Sequence, residues 1–304
     1  MIRRINVPRI AVLLAAYNGM RWINEQLLSI LAQRGVEVVV YISVDSSIDG
    51  SLTWCQDLAR REPRVIVLPD AGERFGGAAK NFFRLIRDVD FSEFDYITYA
   101  DQDDVYLEDK YRAAHEIIVA RGCSGYSSNA TAYWPDGRQV LLVKSQPQRK
   151  YDFLFEAGGP GCSYVLRVPD ALKFKQFLIE NWQAVNNVGL HDWLTYAWFR
   201  STGKSWVIDE RSYILYRQHG GNQIGANDGL SGIKSRLKLM TTGWYRNEIM
   251  KISNLVGHNV SGLPKSLIDK GVLPSRYLIA NFNEFRRSRR DRLAFGVLAF
   301  LRLL

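Results

Sequence analysis

Long hydrophobic runs are missing from this chain. No stretch approaches the ~20 apolar residues that span a bilayer, so no membrane-spanning helix is expected. The apolar run from Ile10 to Ala16 is too short for a secretory signal, and Tyr17-Asn18-Gly19 follows it too soon. Cysteine is scarce. Cys55, Cys123 and Cys162 are an odd number without metal-ligand spacing, which argues against a disulfide framework and for a reducing compartment. Internal repeats and low-complexity segments are absent. Between Arg87 and Lys110 there is no basic residue at all, although that interval holds the densest acidic cluster of the chain.

What is present is an ordinary globular composition. The 304 residues are 47% hydrophobic and 23% charged, enough for one large domain or a domain with an appendage. The net charge of +9 is unevenly placed. Residues 1–228 hold 26 Lys and Arg against 27 Asp and Glu, and residues 229–304 hold 14 against 4. A basic excess confined to one segment points to an anionic partner of that segment, a membrane surface or a nucleic acid.

Read in order, the chain starts with residues 10–15, a continuous apolar run with the pattern of a strand buried on both faces. Residues 22–33 carry Ile23, Leu27, Ile30 and Leu31 on one helical face, with Gly35 beyond the end. Strands are expected over 36–44, 65–68 and 96–100. Helices are expected over 52–61, from the Gly76-Gly77 turn to Val89, and over 107–121. This alternation is the sign of a parallel sheet with right-handed crossovers. Ligands bind such sheets outside the carboxyl ends of the strands, and three conspicuous stretches fall there: Ala16-Tyr17-Asn18, Asp45, and Asp101-Gln102-Asp103-Asp104. Three carboxylates within four residues raise one another's pKa unless a cation joins them. The simpler alternative is a solvated turn, with Asp103 or Asp104 capping the helix that follows.

Further on, residues 126–143 read as strands joined at Pro135-Asp136-Gly137, and 162–166 as another strand. Helices are expected over 169–182 and 191–201, and short strands over 206–208 and 213–216. Beyond Asn227 the character changes. Residues 233–240 and 245–256 read as helices with basic faces. Residues 277–285 lead into Arg286, Arg287, Arg289, Arg290 and Arg292, then into the apolar stretch 293–304.

The run Asp-Gln-Asp-Asp-Val-Tyr-Leu-Glu-Asp-Lys, residues 101–110, resembles the family 2 inverting glycosyltransferases, close to their bacterial rhamnosyltransferase-like branch. The resemblance spans roughly residues 9–227 and rests on several motifs in the right order. It implies a GT-A fold, with a Rossmann-like, mostly parallel α/β sheet flanked by helices. It implies a catalytic domain over 1–227, whose nucleotide-sugar half is about 1–105 and acceptor half about 106–227. Residues 228–304 then form a helical, basic extension.

By this resemblance Ala16, Tyr17 and Asn18 line the nucleotide pocket, and Asp45 accepts from the base. Val44 stands where the family's DDGSxDGT has its first Asp, and Asp49 is a helix cap. Gly76, Lys80 and Asn81 approach the diphosphate sugar. Gln102 and Arg217 also face the donor, the arginine as a phosphate partner. Asp103 and His219 are the implied ligands of Mn²⁺ or Mg²⁺, with Asp101 beside them facing the ribose or a metal-bound water. Asp104 orients its neighbours or caps the next helix. Gly159, Gly161 and Cys162 belong to a flexible loop between donor and acceptor, joined by His191 and Trp193. Asp192 is the implied general base, which removes the proton of the acceptor hydroxyl; an N-cap role is the alternative that its position alone suggests. His115 and His258 are left to packing.

The implied donor is a dTDP- or UDP-sugar, dTDP-rhamnose among them. The implied acceptor is a glycan or an undecaprenyl-diphosphate-linked glycan of surface polysaccharide synthesis. The basic tail, residues 229–304, is expected either to lie on an anionic membrane or to fold back, burying Leu293, Phe295, Leu298 and Leu301. The first option makes the protein peripheral at the inner face of the cytoplasmic membrane, with no nucleic-acid partner. Two other classes compete. A sugar-phosphate nucleotidyltransferase would need a glycine-rich basic signature after the first strand. A basic-tailed nucleic-acid-binding protein leaves Asp45, Asp192 and the acidic cluster idle.

Overall fold

A computed structural model describes residues 7–70, 72, 74–220 and 242–300, the last four of these as backbone only. The first half alternates strands and helices: β1 (Arg9–Ala16), α1 (Ile23–Leu31), β2 (Glu37–Val44), α2 (Ser51–Ala59), β3 (Val65–Val67), α3 (Ala78–Asp88) and β4 (Tyr96–Asp101). The four strands lie side by side in the order β3-β2-β1-β4, all parallel. The sequence-expected elements of this half are all present.

β1 is central because both of its faces are apolar. Ile10, Val12, Leu14 and Ala16 join a cluster with Ile23, Leu27 and Ile30 of α1. Ala11, Leu13 and Ala15 join the opposite cluster with Phe82, Phe83 and Ile86 of α3. Period-2 alternation on a strand that is apolar throughout yields a sheet covered on both sides.

The second half is mixed. After β5 (Val105–Tyr106) and α4 (Lys110–Arg121) come β6 (Gly125–Tyr133), β7 (Gln139–Leu142), β8 (Val165–Arg167), α5 (Val168–Glu180), α6 (Trp182–Val185), α7 (His191–Ser201) and β9 (Trp206–Arg217). The sheet continues β4-β8-β6-β9-β5, with β7 on β6. β8 is antiparallel to β4 and to β6, whereas β9 runs parallel to β6.

Four expectations shift here. Residues 206–217 are one strand, bent by register shifts opposite Ser128, Asn129 and Thr131, where two short strands were expected. The polar stretch between them is the bulge: Asp209 accepts from Arg211 and from the Tyr126 hydroxyl. β8 starts at Val165, because residues 161–163 wind a 3₁₀ turn in which the Ser163 N–H bonds the Pro160 carbonyl. α4 begins at Lys110 instead of Leu107, since Val105 and Tyr106 pair with Leu215 and Ile214. Asp103 and Asp104 therefore do not cap it.

The C-terminal helices are Trp244–Val256, Lys265–Lys270, Ser275–Asn281 and Arg289–Phe300. The expected helix over 233–240 lies outside the described residues. Ile249, Ile252, Val256, Leu267, Leu278, Phe285 and Phe295 are buried in the same cluster as α3, α5 and α7. The described part of the basic tail therefore completes one face of the hydrophobic core. Phe295 is buried as the fold-back expectation had it, whereas Leu293 is 66% exposed. The side chains of Leu298 and Leu301 lie outside the described residues.

Candidate active site

The carboxyl ends of β1, β2 and β4 meet where the sequence places its polar motifs. Gln102 holds the start of the first loop in a two-point clamp. The Tyr17 N–H donates to Gln102 Oε1 and Gln102 Nε2 donates to the Tyr17 carbonyl, each at 2.8 Å. A Cβ on Gly19 would come within 2.3 Å of Gln102 Oε1, so this glycine is required for the clamp. Asn18 adopts φ 46°, a conformation that asparagine tolerates better than most residues. Its Oδ1 accepts from the Ile48 N–H, and its own N–H donates to Ser47 Oγ.

Asp49 accepts from the Met20 and Ser51 N–H groups; the N-cap position of α2 is Gly50, and Asp49, one residue before it, ties the start of the helix to the first loop. Asp45 is buried at the end of β2. Its carboxylate accepts from the backbone N–H of Ser46, Phe75 and Gly76, which pins the Gly76 turn to the end of β2. Asn81 points into the sheet and donates to the Ser43 and Ala16 carbonyls. Lys80 and Gly76 remain exposed at the rim. Arg74 was not anticipated from sequence. It bonds the Tyr17 hydroxyl at 2.9 Å and lies 5.0 Å from its ring. A lone arginine in a loop carries no pattern that would announce it.

The acidic cluster divides into two levels. At the mouth, the His219 ring donates through Nε2 to Asp103 Oδ2 at 2.8 Å. Trp22 stacks on His219, with ring centroids 5.8 Å apart. Below, Asp104 is fully buried. It accepts from the Arg217 N–H at 3.2 Å and leaves Oδ2 without a partner among the described residues. Asp101, Asp104 and Cys162 bring their ligand atoms within 4.8 Å of one another. They are the only such acidic, His or Cys trio among the described residues, so Asp101 groups with Asp104 and Cys162, with the Asp103 carboxylate also near enough to raise its pKa.

Burial, then the neighbouring Asp103 and Asp192 carboxylates, push Asp101 up to about 8. Burial and the same kind of neighbours hold Asp104 well above the usual carboxylate range. Lys110, in the motif but assigned no role, lies buried over the rings of Tyr106 and Tyr111, and burial draws it down to about 7.

Arg217 does not project toward a phosphate site. Nε bonds the Asp103 carbonyl at 2.8 Å, Nη2 bonds Glu25, and the guanidinium lies 4.3 Å from the Trp22 ring and 4.8 Å from that of Tyr133. It anchors the acidic turn to α1 and β6. Trp22 and Glu25, at the start of α1, and Tyr133, in β6, complete this anchor and share no motif.

On the other side stands Asp192, in the first turn of α7, its Oδ1 accepting from the Trp193 N–H. Burial raises it to about 6, against the lowering effect of backbone hydrogen bonds. It is partly exposed and faces Asp101 closely enough to lift that residue's pKa. The Gly158–Ser163 turn packs against it. A Cβ on Gly161 would come within 2.7 Å of His191 Nε2 and 3.1 Å of Asp192 Cβ.

That turn is buried, not a free loop. The Gly158 N–H donates to the Tyr164 hydroxyl and its carbonyl accepts from Ser127. Gly159 takes φ 144°, which a side chain would strain. Cys162 is buried with its thiol beside Asp104, so it faces the acidic cluster and not an acceptor. His191 and Trp193 are also interior. His191 stacks on Phe82 at 3.9 Å, and burial lowers it to about 3, so it stays neutral. Trp193 bonds the Phe153 carbonyl and stacks on Tyr245. Both pack behind Asp192 in the first turn of α7.

A carboxylate, Asp192, stands opposite a carboxylate–imidazole pair at the carboxyl ends of the strands, and the likenesses say what such an arrangement belongs to. The family described as Glycosyl transferase family 2 matches residues 11–155. The protein described as dTDP-rhamnosyl transferase RfbG, from Shigella flexneri, is 39% identical over 290 residues, 95% of this chain and 100% of that protein. S. aureus TarS 1-349 in complex with UDP matches with a TM-score of 0.54 at 12% identity, over 97% of this chain and 81% of that one. A longer TarS structure matches at 0.52 and 13% identity, over 81% of this chain and 43% of that one. At such identities the structural likeness speaks for the GT-A fold alone. The near full-length relative decides the rest, and the chain is a glycosyltransferase that belongs to glycosyl transferase family 2.

Proposed function

We propose that this glycosyltransferase moves L-rhamnose from dTDP-rhamnose, with inversion, to a hydroxyl of a glycan or undecaprenyl-diphosphate-linked acceptor in surface polysaccharide synthesis. The relative named as a dTDP-rhamnosyl transferase supports the donor, by 39% identity over its whole length. The observation that carries the chemistry is Asp192, a partly exposed carboxylate raised to about 6 and set opposite the acidic turn. A base with that pKa is ionised at neutral pH yet still basic enough to take a proton. Its carboxylate accepts the acceptor's O–H proton as that oxygen bonds to the anomeric carbon. The bond from that carbon to the diphosphate oxygen breaks, and dTDP leaves with the electron pair. One displacement inverts the centre, so no second carboxylate nucleophile is needed, by the logic of inverting glycosidases.

Asp103 and His219 offer a hard carboxylate oxygen and an imidazole nitrogen at one point, a donor set that suits a divalent cation once Nε2 gives up the hydrogen it shares with Asp103. These two residues would hold Mn²⁺ or Mg²⁺, which supplies charge neutralisation to the leaving diphosphate. The protein's own share is positional. Gln102 and Asp45 fix the loops around the nucleotide, and Arg217 fixes the carbonyl of Asp103.

Among the described residues no helix is long and apolar enough to cross a membrane. Arg276, Arg289 and Arg290 are exposed beside Ile279 and Leu293, at 77% and 66% exposure, which supports peripheral contact with an anionic inner leaflet.

The test is a thermal-shift panel of dTDP-, UDP- and GDP-sugars with and without Mn²⁺. The largest stabilisation is expected from dTDP-rhamnose with metal. No shift with any nucleotide sugar overturns the reading.

A further inference from the structure

The basic run at 286–292 suggests an external anion, but the structure gives two of these arginines an internal one. Arg287 is 3% exposed. Its Nη1 lies 3.3 Å from Asp152 Oδ2, its Nη2 donates to the Ala157 carbonyl at 2.7 Å, and its backbone N–H donates to Glu156 at 2.6 Å. Arg286 donates through Nη1 to the Phe155 carbonyl and to the Tyr245 hydroxyl. Asp152 is fully buried and also accepts from Tyr196 and Arg200 of α7. Arg292 closes the far side by donating to the carbonyls of residues 286 and 287.

The carbonyls held this way belong to residues 155 and 157. They lead directly into the Gly158–Ser163 turn, which packs on His191 and Asp192. The chain of contact runs from Arg287 to Ala157, along the turn to Gly161, and to Asp192 in the first turn of α7. Asp152 joins the same arginine to the last turn of α7 through Arg200.

We infer that Arg287, with Arg286, is a positioning residue for the catalytic base. The C-terminal segment uses buried cations to hold the turn that sets where Asp192 points and how closely an acceptor oxygen approaches it. The inference rests on the transferase reading and adds a role for residues far beyond the nucleotide-binding half. A guanidinium is needed because one planar group must bridge a carboxylate and a carbonyl at once. An ammonium offers the charge without the fork.

The experiment compares wild type with Arg287→Lys, using dTDP-rhamnose as donor and water as acceptor and following release of dTDP. Arg287→Lys is expected to lower kcat about 10- to 100-fold. KM for dTDP-rhamnose and the affinity for dTDP should stay within about twofold. The pH midpoint of the remaining hydrolysis is expected to move from the wild-type value, a shift that mere loss of folded protein cannot cause. Hydrolysis at the wild-type rate and midpoint, or an equal loss of dTDP affinity, overturns the role.

Should Arg287→Lys fail to fold, Arg286→Lys is the second variant and is read the same way. If wild type binds dTDP-rhamnose without measurable hydrolysis, amide exchange decides. Faster exchange over 156–164 with 9–105 unchanged supports the role, and unchanged exchange over 156–164 overturns it. A wild type that binds no dTDP or dTDP-rhamnose fails the transferase reading itself, and the inference with it.

Discussion

At the ends of β1 and β2, short polar side chains bond to nearby backbone. Gln102 clasps Tyr17, Asp45 collects three N–H groups, and Asp49 ties Met20 to Ser51. Around α7 the method is different. Buried arginines, Asp152 and a stack of rings bring the C-terminal segment against residues 151–163, more than a hundred residues away in sequence. The side at the ends of β1 and β2 is built from side-chain bonds to loop backbone, made by an amide and by two carboxylates. The side around α7 is built from charge pairs and aromatic packing between segments far apart in the chain. Exposed backbone-directed bonds are individually modest, whereas breaking a buried ion pair or emptying an aromatic site costs much more. Damage on the first side should therefore fall on donor affinity, and on the second on turnover and global stability.

The largest effect expected is from Asp192→Asn. Transfer should fall by about 10²- to 10⁴-fold while dTDP-sugar affinity is kept, as measured by initial rates and calorimetry. Wild-type activity should rise with pH through about 6, because the base works only when deprotonated. Retained transfer in Asp192→Asn would take the base role from this residue and dissolve the division between the two sides.

Next in size is Phe285→Ala, which removes a buried ring packed against Tyr151, Phe155 and Phe295. A loss of about 3–5 kcal/mol is expected in denaturant unfolding, in a single transition. Two transitions, with only the first shifted, would show the tail to be a separate unit.

Gln102→Ala removes both bonds to the Tyr17 backbone. The expected cost is about 1–3 kcal/mol, with weaker dTDP binding and kcat nearly unchanged. A loss of kcat at unchanged donor affinity would reverse the assignment of this side.

The last expected effect is on the pH dependence of stability. Asp101 is pushed up in the folded state, so between its ordinary value and about 8 the unfolded chain has released a proton that the fold retains. Stability then falls as pH rises through that window. Asp101→Asn should flatten this fall in thermal melts from pH 5 to 9; an unchanged slope would place its carboxylate in a more solvated setting.

Much of the nucleotide half was legible because its elements are local. Apolar runs between turn residues mark β1 and β2, and Gly, Asn and Asp mark the βα turns in which they are needed. α7 was read with the same ends, His191 and Ser201, that the structure shows. The misreadings have one physical source. Arg217, Cys162, His191 and Trp193 stand in motif-like positions, but their side chains turn inward, toward partners from other elements. Neither periodicity nor spacing carries that direction. The pair Asp103 and His219 could be suspected from residue type, but Arg217 with Glu25, or Asp104 with Cys162, could not.

The sequence by itself determined the parallel βα half, the placement of carboxylates at strand ends and the family resemblance, because these depend on neighbours within a few turns of chain. Only the tertiary structure decided which carboxylates meet. It also decided that Arg286 and Arg287 find their anions inside the protein. A local excess of +10 says that counter-charges are needed; whether they come from a membrane or from Asp152 and Glu156 depends on how the core closes. That closure is set by burying Phe285 and Phe295 against residues far away in the chain, and no local pattern records it.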